Sequence, residues 1–377
     1  MQVSVAWRVT ILIVLFARTG GAQTPPPAGL EFAGLNWSGS VTTRLDPGFH
    51  LNDTGSNTVD PRFDSGLMAL GTSEYLDFNT YIRLKRNEGQ RVIRGNPASY
   101  VGPSGAYLGE AVVTLKPTNW LSVYAGKLHG SFGAAWLLQT GFIETFAEDY
   151  EQTERVGYGV RVTLPPMPVL GSVRISVDNF FADNNSFGSG TRALPGDFVT
   201  VQPPPYLYGP QGYGPASTGR LNSYTVSVSG GDQQDGLYWQ FSKTQEATGY
   251  AGGSAEQGAA ATLAYGTGII DDQTRLRGFA EFAQFSNFVT VSGLTYNALT
   301  TGLQLTRGRW EVDVVGDLRR VRGTYRAHDS KVGVNVLRDL SDDVVPGLRV
   351  GAGFERLVVG TTRTWALYPY LEYRLVF

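Results

Sequence analysis

Cysteine is absent from the 377 residues, which excludes disulfides, thiolate nucleophiles and cysteine-based zinc sites by inventory alone. Charge is scarce: Asp, Glu, Lys and Arg make up 17% of the chain, against roughly 25% in an ordinary soluble domain. The net charge of −2 gives no reason to expect nucleic acid or an anionic surface as a partner. Histidine is limited to His50, His129 and His328. A Ser-His hydrolase needs a base oriented by a third polar group. His129 ends a strand beside Ser131, and His328 sits beside Asp329 and Ser330, but adjacent strand residues point to opposite faces. No catalytic residue is therefore assigned. Paired-histidine, calcium-loop and phosphate-loop spacings are missing too, so neither a metal nor a cofactor is expected. Nor is there an apolar run of the roughly 20 residues that a membrane helix needs.

What is present begins with export. Arg8 precedes an apolar run from Val9 to Ala17, and Gly20, Gly21 and Ala22 supply the small residues of a cleavage site, so residues 1–22 read as a signal peptide. Residues 23–34, with Pro25, Pro26 and Pro27, read as a short periplasmic leader.

From residue 35 to 377 the pattern has period 2. In 74–85, Leu76, Phe78, Thr80, Ile82 and Leu84 oppose Asp77, Asn79, Tyr81, Arg83 and Lys85. In 310–322, Trp310, Val312, Val314 and Leu318 oppose Glu311, Asp313, Val315, Asp317 and Arg319. Charges in mid-strand opposite an apolar face, long strands and terminal tryptophans fit a membrane-spanning barrel better than a sandwich. The alternation predicts strands near 35–45, 74–85, 107–115, 120–129, 155–164, 171–181, 222–229 and 236–244. It continues with 259–267, 274–285, 298–306, 310–322, 330–338, 347–358 and 363–377. Short and long connections alternate, and that parity requires one more strand, which only Arg62 to Leu70 can supply. The fold expected is all-β: a transmembrane antiparallel barrel of about 16 strands, between about 14 and 18, with long outer loops.

The last strand is the most specific signal. Trp365, Leu367, Leu371, Tyr373, Leu375 and Phe377 alternate with Tyr368, Tyr370, Glu372 and Arg374. It resembles the terminal strand of outer-membrane barrels, and Leu371, Tyr373, Leu375 and Phe377 are what the barrel-insertion machinery would recognise. Lys116 to Trp120, Val123 to Lys127 and Phe132-Gly133 resemble the turn, strand and Gly-rich loop of Gram-negative outer-membrane porins, most like the phosphate- and carbohydrate-type group. The resemblance implies a water-filled channel, outer-membrane lipids around it and a homotrimer.

It also implies a third loop, 130–154, folded into the barrel. Glu144, Glu148 and Asp149 would then form a constriction facing Arg83, Arg161 or Arg174. An acidic loop left in solvent is the other course open to this segment. Lysine stands only at 85, 116, 127, 243 and 331, which argues against phosphate selectivity.

The lumen-facing set expected from the alternation includes Asp77, Tyr81, Glu281, Glu311, Asp313, Asp317, Arg319, Arg349, Glu355, Glu372 and Arg374, with neither sign dominant. About 16 strands leave an aqueous interior, so the expected function is passive diffusion of small hydrophilic solutes. A structural or adhesive barrel plugged by its loops, including the tyrosine-rich loop 182–221, is the alternative.

Overall fold

The computed structural model describes residues 30–32, 34–53, 58–60, 63–86, 104–139, 141–168, 170–182, 215–216, 218–233, 236–248, 252–268, 273–323 and 326–377. The expected signal peptide, most of the leader and residues 183–214 of the long loop lie outside the described residues.

The strands are β1 (Leu30–Phe32), β2 (Leu35–Leu45), β3 (Gly48–Asn52), β4 (Thr58–Asp60), β5 (Phe63–Thr72), β6 (Leu76–Arg86), β7 (Ser104–Thr118), β8 (Leu121–Leu128), β9 (Arg155–Thr163) and β10 (Arg174–Ala182). They continue with β11 (Ser223–Gly231), β12 (Gly236–Glu246), β13 (Glu256–Gly268), β14 (Thr274–Ser286), β15 (Thr295–Arg307), β16 (Trp310–Arg322), β17 (Arg326–Asp339), β18 (Leu348–Val359) and β19 (Thr362–Val376).

Every neighbouring pair is antiparallel. From β5 to β19 the strands pair in chain order, and β2 pairs with both β5 and β19, which closes a ring of 16 strands. The remaining three are short. β3 continues β2 past a break at Asp46-Pro47 and pairs with β19, and β4 pairs with β3 as an extension of the first hairpin. β1 folds back on the start of β2, so the end of the expected leader is a strand.

Register explains the two faces. Ala261, Phe282, Leu299 and Leu318 are consecutive register partners across β13 to β16 and point outward. Shifted by one residue, Thr262, Glu281, Thr300 and Asp317 form the inward row. A slip of one residue would exchange these rows and place a carboxylate in hydrocarbon. The outward residues Phe241, Leu263, Leu318 and Val332 are more than half exposed, the mark of a wall whose solvent is lipid. Among the described residues no helix is long and apolar enough to cross a membrane. The strands cross instead, paired in a closed ladder that is interrupted by register shifts at Tyr81/Ile82 and Leu115/Thr118.

The even connections, such as 73–75, 308–309 and 340–347, gather at what we term the turn end. The others, including 129–154, leave from the loop end. Seam closure is completed by the last residue: Phe377 N–H donates to Gly39 O at 3.0 Å, and Gly39 N–H donates to Phe377 O at 2.9 Å.

Candidate functional site

The inward row of the barrel is mostly polar. Among the described residues the larger apolar clusters form where the segment 129–154 enters and lies against the wall, with small ones at Val112, Tyr124 and Leu128 and at Phe180, Ala182 and Ala216. Lys127 and Glu154, 3.1 Å apart, clasp the base of this loop, and Gly130 N–H donates to Gln152 O at 2.7 Å. Gln152 is fully buried. Its amide donates to Thr244 Oγ1 and Glu246 Oε1, both at 2.7 Å, and its oxygen accepts from Thr225 Oγ1 at 2.6 Å.

The loop then moves along the wall from strand to strand. Ser131 N–H and Oγ donate to Asp178 on β10 at 2.8 and 2.5 Å. Gly133 N–H donates to Ser242 on β12 at 3.0 Å, and Gln240 donates back to the carbonyls of Ser131 and Gly133. Gly133 has φ +64°, a conformation that disfavours a side chain. A Cβ there would also lie 3.0 Å from Glu281 Oε1.

Glu281 on β14 is the central anchor and is 0% exposed. It accepts from Ala134 N–H at 2.6 Å, Ala135 N–H at 3.0 Å, Tyr150 Oη at 2.8 Å and Thr262 Oγ1 at 2.5 Å. The two main-chain donors belong to the start of a single helical turn, α1 (Ala135–Leu138), whose amides have no intrahelical acceptor. Burial and the Glu281 carboxylate push the Tyr150 phenol well above its ordinary pKa, so it stays a donor.

Beyond α1 the loop tip reaches the final strands. Phe142 stacks on Tyr370 of β19 with centroids 4.4 Å apart, and Ile143 packs beside it. Room for both comes from glycines on the wall. A Cβ at Gly353 would sit 2.5 Å from the Phe142 ring, and one at Gly333 would sit 2.7 Å from Ile143. The return limb holds a 3-10 turn, Phe146–Asp149. Arg319 on β16 lies over the Phe146 ring at 4.3 Å and binds Asp149 and Asp329, each at 2.7 Å. Tyr296 Oη donates to Asp149 at 2.9 Å, and Lys331 donates to Glu144 O at 2.8 Å.

The opposite wall is different. Inward side chains of β2, β5, β6 and β7 stay partly exposed and pair across neighbouring strands: Arg83 with Asp64 at 2.5 Å, Lys116 with Asp77 at 2.7 Å and, over the seam, Arg44 with Glu372 of β19 at 3.3 Å. Arg83 also lies over Tyr81, at 5.8 Å. At the loop base, burial, followed by the charges of Arg83 and Lys127, lowers the His129 pKa from 6.5 to about 4. The neutral ring stacks on Trp136.

These contacts redistribute the residues expected at a constriction. Asp149 meets Arg319 rather than Arg83, Arg161 or Arg174, because the loop follows the wall from β10 to β19 instead of crossing to β6 and β9. Arg161 lies over Tyr124 at 5.3 Å and donates to Ser176 at 3.4 Å. Arg174 is exposed at the start of β10, and Glu148 is exposed on the loop. Glu144 contributes its carbonyl to Lys331. Of the lumen set, Glu281, Asp313, Asp317, Glu355 and Glu372 are buried. Glu311 pairs with Arg349 at 2.8 Å, and Arg374 is exposed at the turn end. Leu375 and Phe377 are exposed on the outer face, with Leu371 and Tyr373 on the same side of β19.

No family model matches the sequence, and no curated protein matches it. Solved structures do match over nearly the whole chain. The outer-membrane channel DcaP of Acinetobacter baumannii is 11% identical, with a TM-score of 0.54, 92% of this chain covered and 100% of that one. OccAB1 of the same organism is 10% identical, with a TM-score of 0.52 and coverages of 90% and 97%. OpdK of Pseudomonas aeruginosa, solved with vanillate, is 7% identical, with a TM-score of 0.51 and coverages of 91% and 99%. The chain shares the closed β-barrel fold of these outer-membrane channels. At these identities the likeness concerns the fold of the barrel, and its function has to be argued from its own interior.

Proposed function

We propose that the protein is a passive, non-enzymatic channel for small hydrophilic solutes, with the path running between the interior loop and the wall formed by β2 and β5 to β8. The observation that supports this is the division of the interior. The loop is bonded to the wall from β10 to β19, while Arg44, Arg83, Asp77 and Lys116 on the other side keep 34%, 30%, 27% and 28% of their side chains exposed. Paired charges along a wet wall hold water without binding one ion tightly, which suits diffusion. Arg83 and Arg161 border this path, Glu148 approaches it from the loop, and Arg174 lies toward its turn-end mouth.

Folded protein in a planar bilayer is expected to give stepwise, mostly open current. A silent bilayer would instead support the structural or adhesive barrel with a plugged lumen. Arg161, Arg174 and Arg374 have inward positions toward the turn end and no ion pair among the described residues, so a mild anion preference is expected from reversal potentials in a salt gradient. Replacing all three with Gln should move that potential toward zero. In the same reading residues 1–22 are a cleaved signal and the barrels assemble as trimers. The mass of the exported chain and chemical cross-linking test these two points.

A further inference from the structure

The outer face carries a feature that solute passage does not use. Near the loop end, β16 to β19 turn basic side chains outward: Arg320 and Arg322, Arg326 and His328, Arg356, and Arg363. Outward orientation follows from the register. Arg320 and Arg322 share the face of the exposed Leu318, Arg326 and His328 that of Val332, Arg356 that of Phe354, and Arg363 that of Trp365 and Leu367. The groups are also close across strands, since Arg320 pairs with His328, Arg322 with Arg326 and Arg356 with Trp365.

None of these side chains has an ion pair among the described residues. Asp53 accepts the main-chain N–H of Arg363 at 3.3 Å. The row through Arg320 continues into the neutral Asn297, Gln284 and Ala259 on β15, β14 and β13. At the turn end the same wall behaves differently: the outward Arg338 and the turn residue Arg309 are each matched by Asp342 or Asp343, with contacts at 3.1 Å.

Depth identifies what the patch faces. Trp365 stacks on Phe354 at 5.4 Å, and the Arg356 guanidinium lies over the indole at 5.3 Å. Such aromatic pairs sit at the border between hydrocarbon and headgroups. In the register Val332 is level with Arg356 at this border, and Arg320, Arg322, Arg326 and His328 lie further toward the loop end, at headgroup height. Guanidinium groups recognise phosphate oxygens through paired N–H donors. We propose that this outward basic face binds the phosphate groups of an anionic lipid in the leaflet at the loop end. The proposal rests on the barrel being in the membrane and is independent of the channel reading.

The test uses the full chain folded in neutral detergent, with bis-phosphorylated lipid A as probe and phosphatidylcholine as the uncharged reference. The wild-type protein is expected to retain lipid A selectively in native mass spectrometry. R320Q/R322Q/R326Q/R356Q should weaken retention at least tenfold, while R309Q/R338Q should leave it unchanged. Heat-modifiable migration and conductance verify that each variant is folded. If the quadruple variant does not fold, a salt titration of the wild-type protein carries the test, because exposed charge pairs are screened as ionic strength rises. Equal retention by the quadruple variant, equal retention of dephosphorylated lipid A, or salt-insensitive retention would each overturn the proposal. So would a change in cross-linked oligomeric state with lipid binding intact, which would assign the patch to a second copy of the chain.

Discussion

The two halves of the interior are built from the same kinds of residue and have opposite fates. Along β10 to β19 the inward polar row is covered by a loop that brings donors to Glu281 and Asp178, which act as the seats of a core, while Thr300, Asp317 and Asn335 are buried there without a side-chain hydrogen bond. Along β2 and β5 to β7, inward arginines, lysine and carboxylates keep part of their surface exposed and pair within this wall or, for Arg44, with Glu372 of β19 across the seam. Burial of a charge is tolerable where it is fully hydrogen-bonded. Exposed pairs of the second kind contribute about 0–1 kcal/mol each. A polar barrel wall is therefore neutral as to function, and what decides between core and passage is whether a loop supplies the complementary donors.

The strongest way to break this contrast is to remove the loop. Replacing residues 134–149 with a short Gly-Ser bridge should make both halves wet and raise single-channel conductance several-fold, whereas unchanged conductance would mean that the loop obstructs nothing. Next in size is Glu281→Ala. It leaves Ala134 N–H, Ala135 N–H and the Tyr150 hydroxyl without their acceptor, and it should weaken the loop seat by about 3 kcal/mol. The readouts are faster hydrogen exchange in 131–150 and noisy openings toward the loop-free current.

Arg83→Gln probes the open half and should have a smaller effect. Its pairing with Asp64 is partly exposed, so thermal stability should shift by no more than about 1 kcal/mol, while the reversal potential moves in the cation-selective direction. The smallest effect concerns pH. His129 titrates near 4 in the folded protein against an ordinary value of 6.5. As pH falls from about 6.5 to about 4, the unfolded chain gains a proton that the folded one does not, and stability declines across that window. His129→Gln should flatten this part of the stability profile by one proton's slope. An unaltered profile would show that the ring is not held neutral.

Much of the wall was legible because each strand announces itself locally. All sixteen staves coincide with alternating segments, including β5, which turn parity alone requires. The misses are β1, β3 and β4: each has five residues or fewer, too short to display a period, and Asp46-Pro47 interrupts the alternation before β3. The course of the interior loop was hidden for a different reason. Its partners are remote, with Asp149 and Arg319 170 positions apart and Ala134 and Glu281 147 apart, and nothing in residues 130–154 records which wall they will meet. A trace did exist in the wall itself. Gly333 and Gly353 occupy inward positions where a barrel facing only water has no need of glycine, and they are where Ile143 and Phe142 land.

The seam between β2 and β19 bears on how such a barrel comes into being. Every other join in the ring links strands that follow one another along the chain, so each can form as a hairpin soon after its residues are available. The seam joins Arg44 to Glu372, 328 positions away, and ends on the main-chain exchange between Gly39 and Phe377. Until it forms, two strand edges present unpaired N–H and C=O groups that hydrocarbon cannot satisfy. Insertion and closure are consequently one event, and a chain that stalls before its last strand has no resting place in the bilayer.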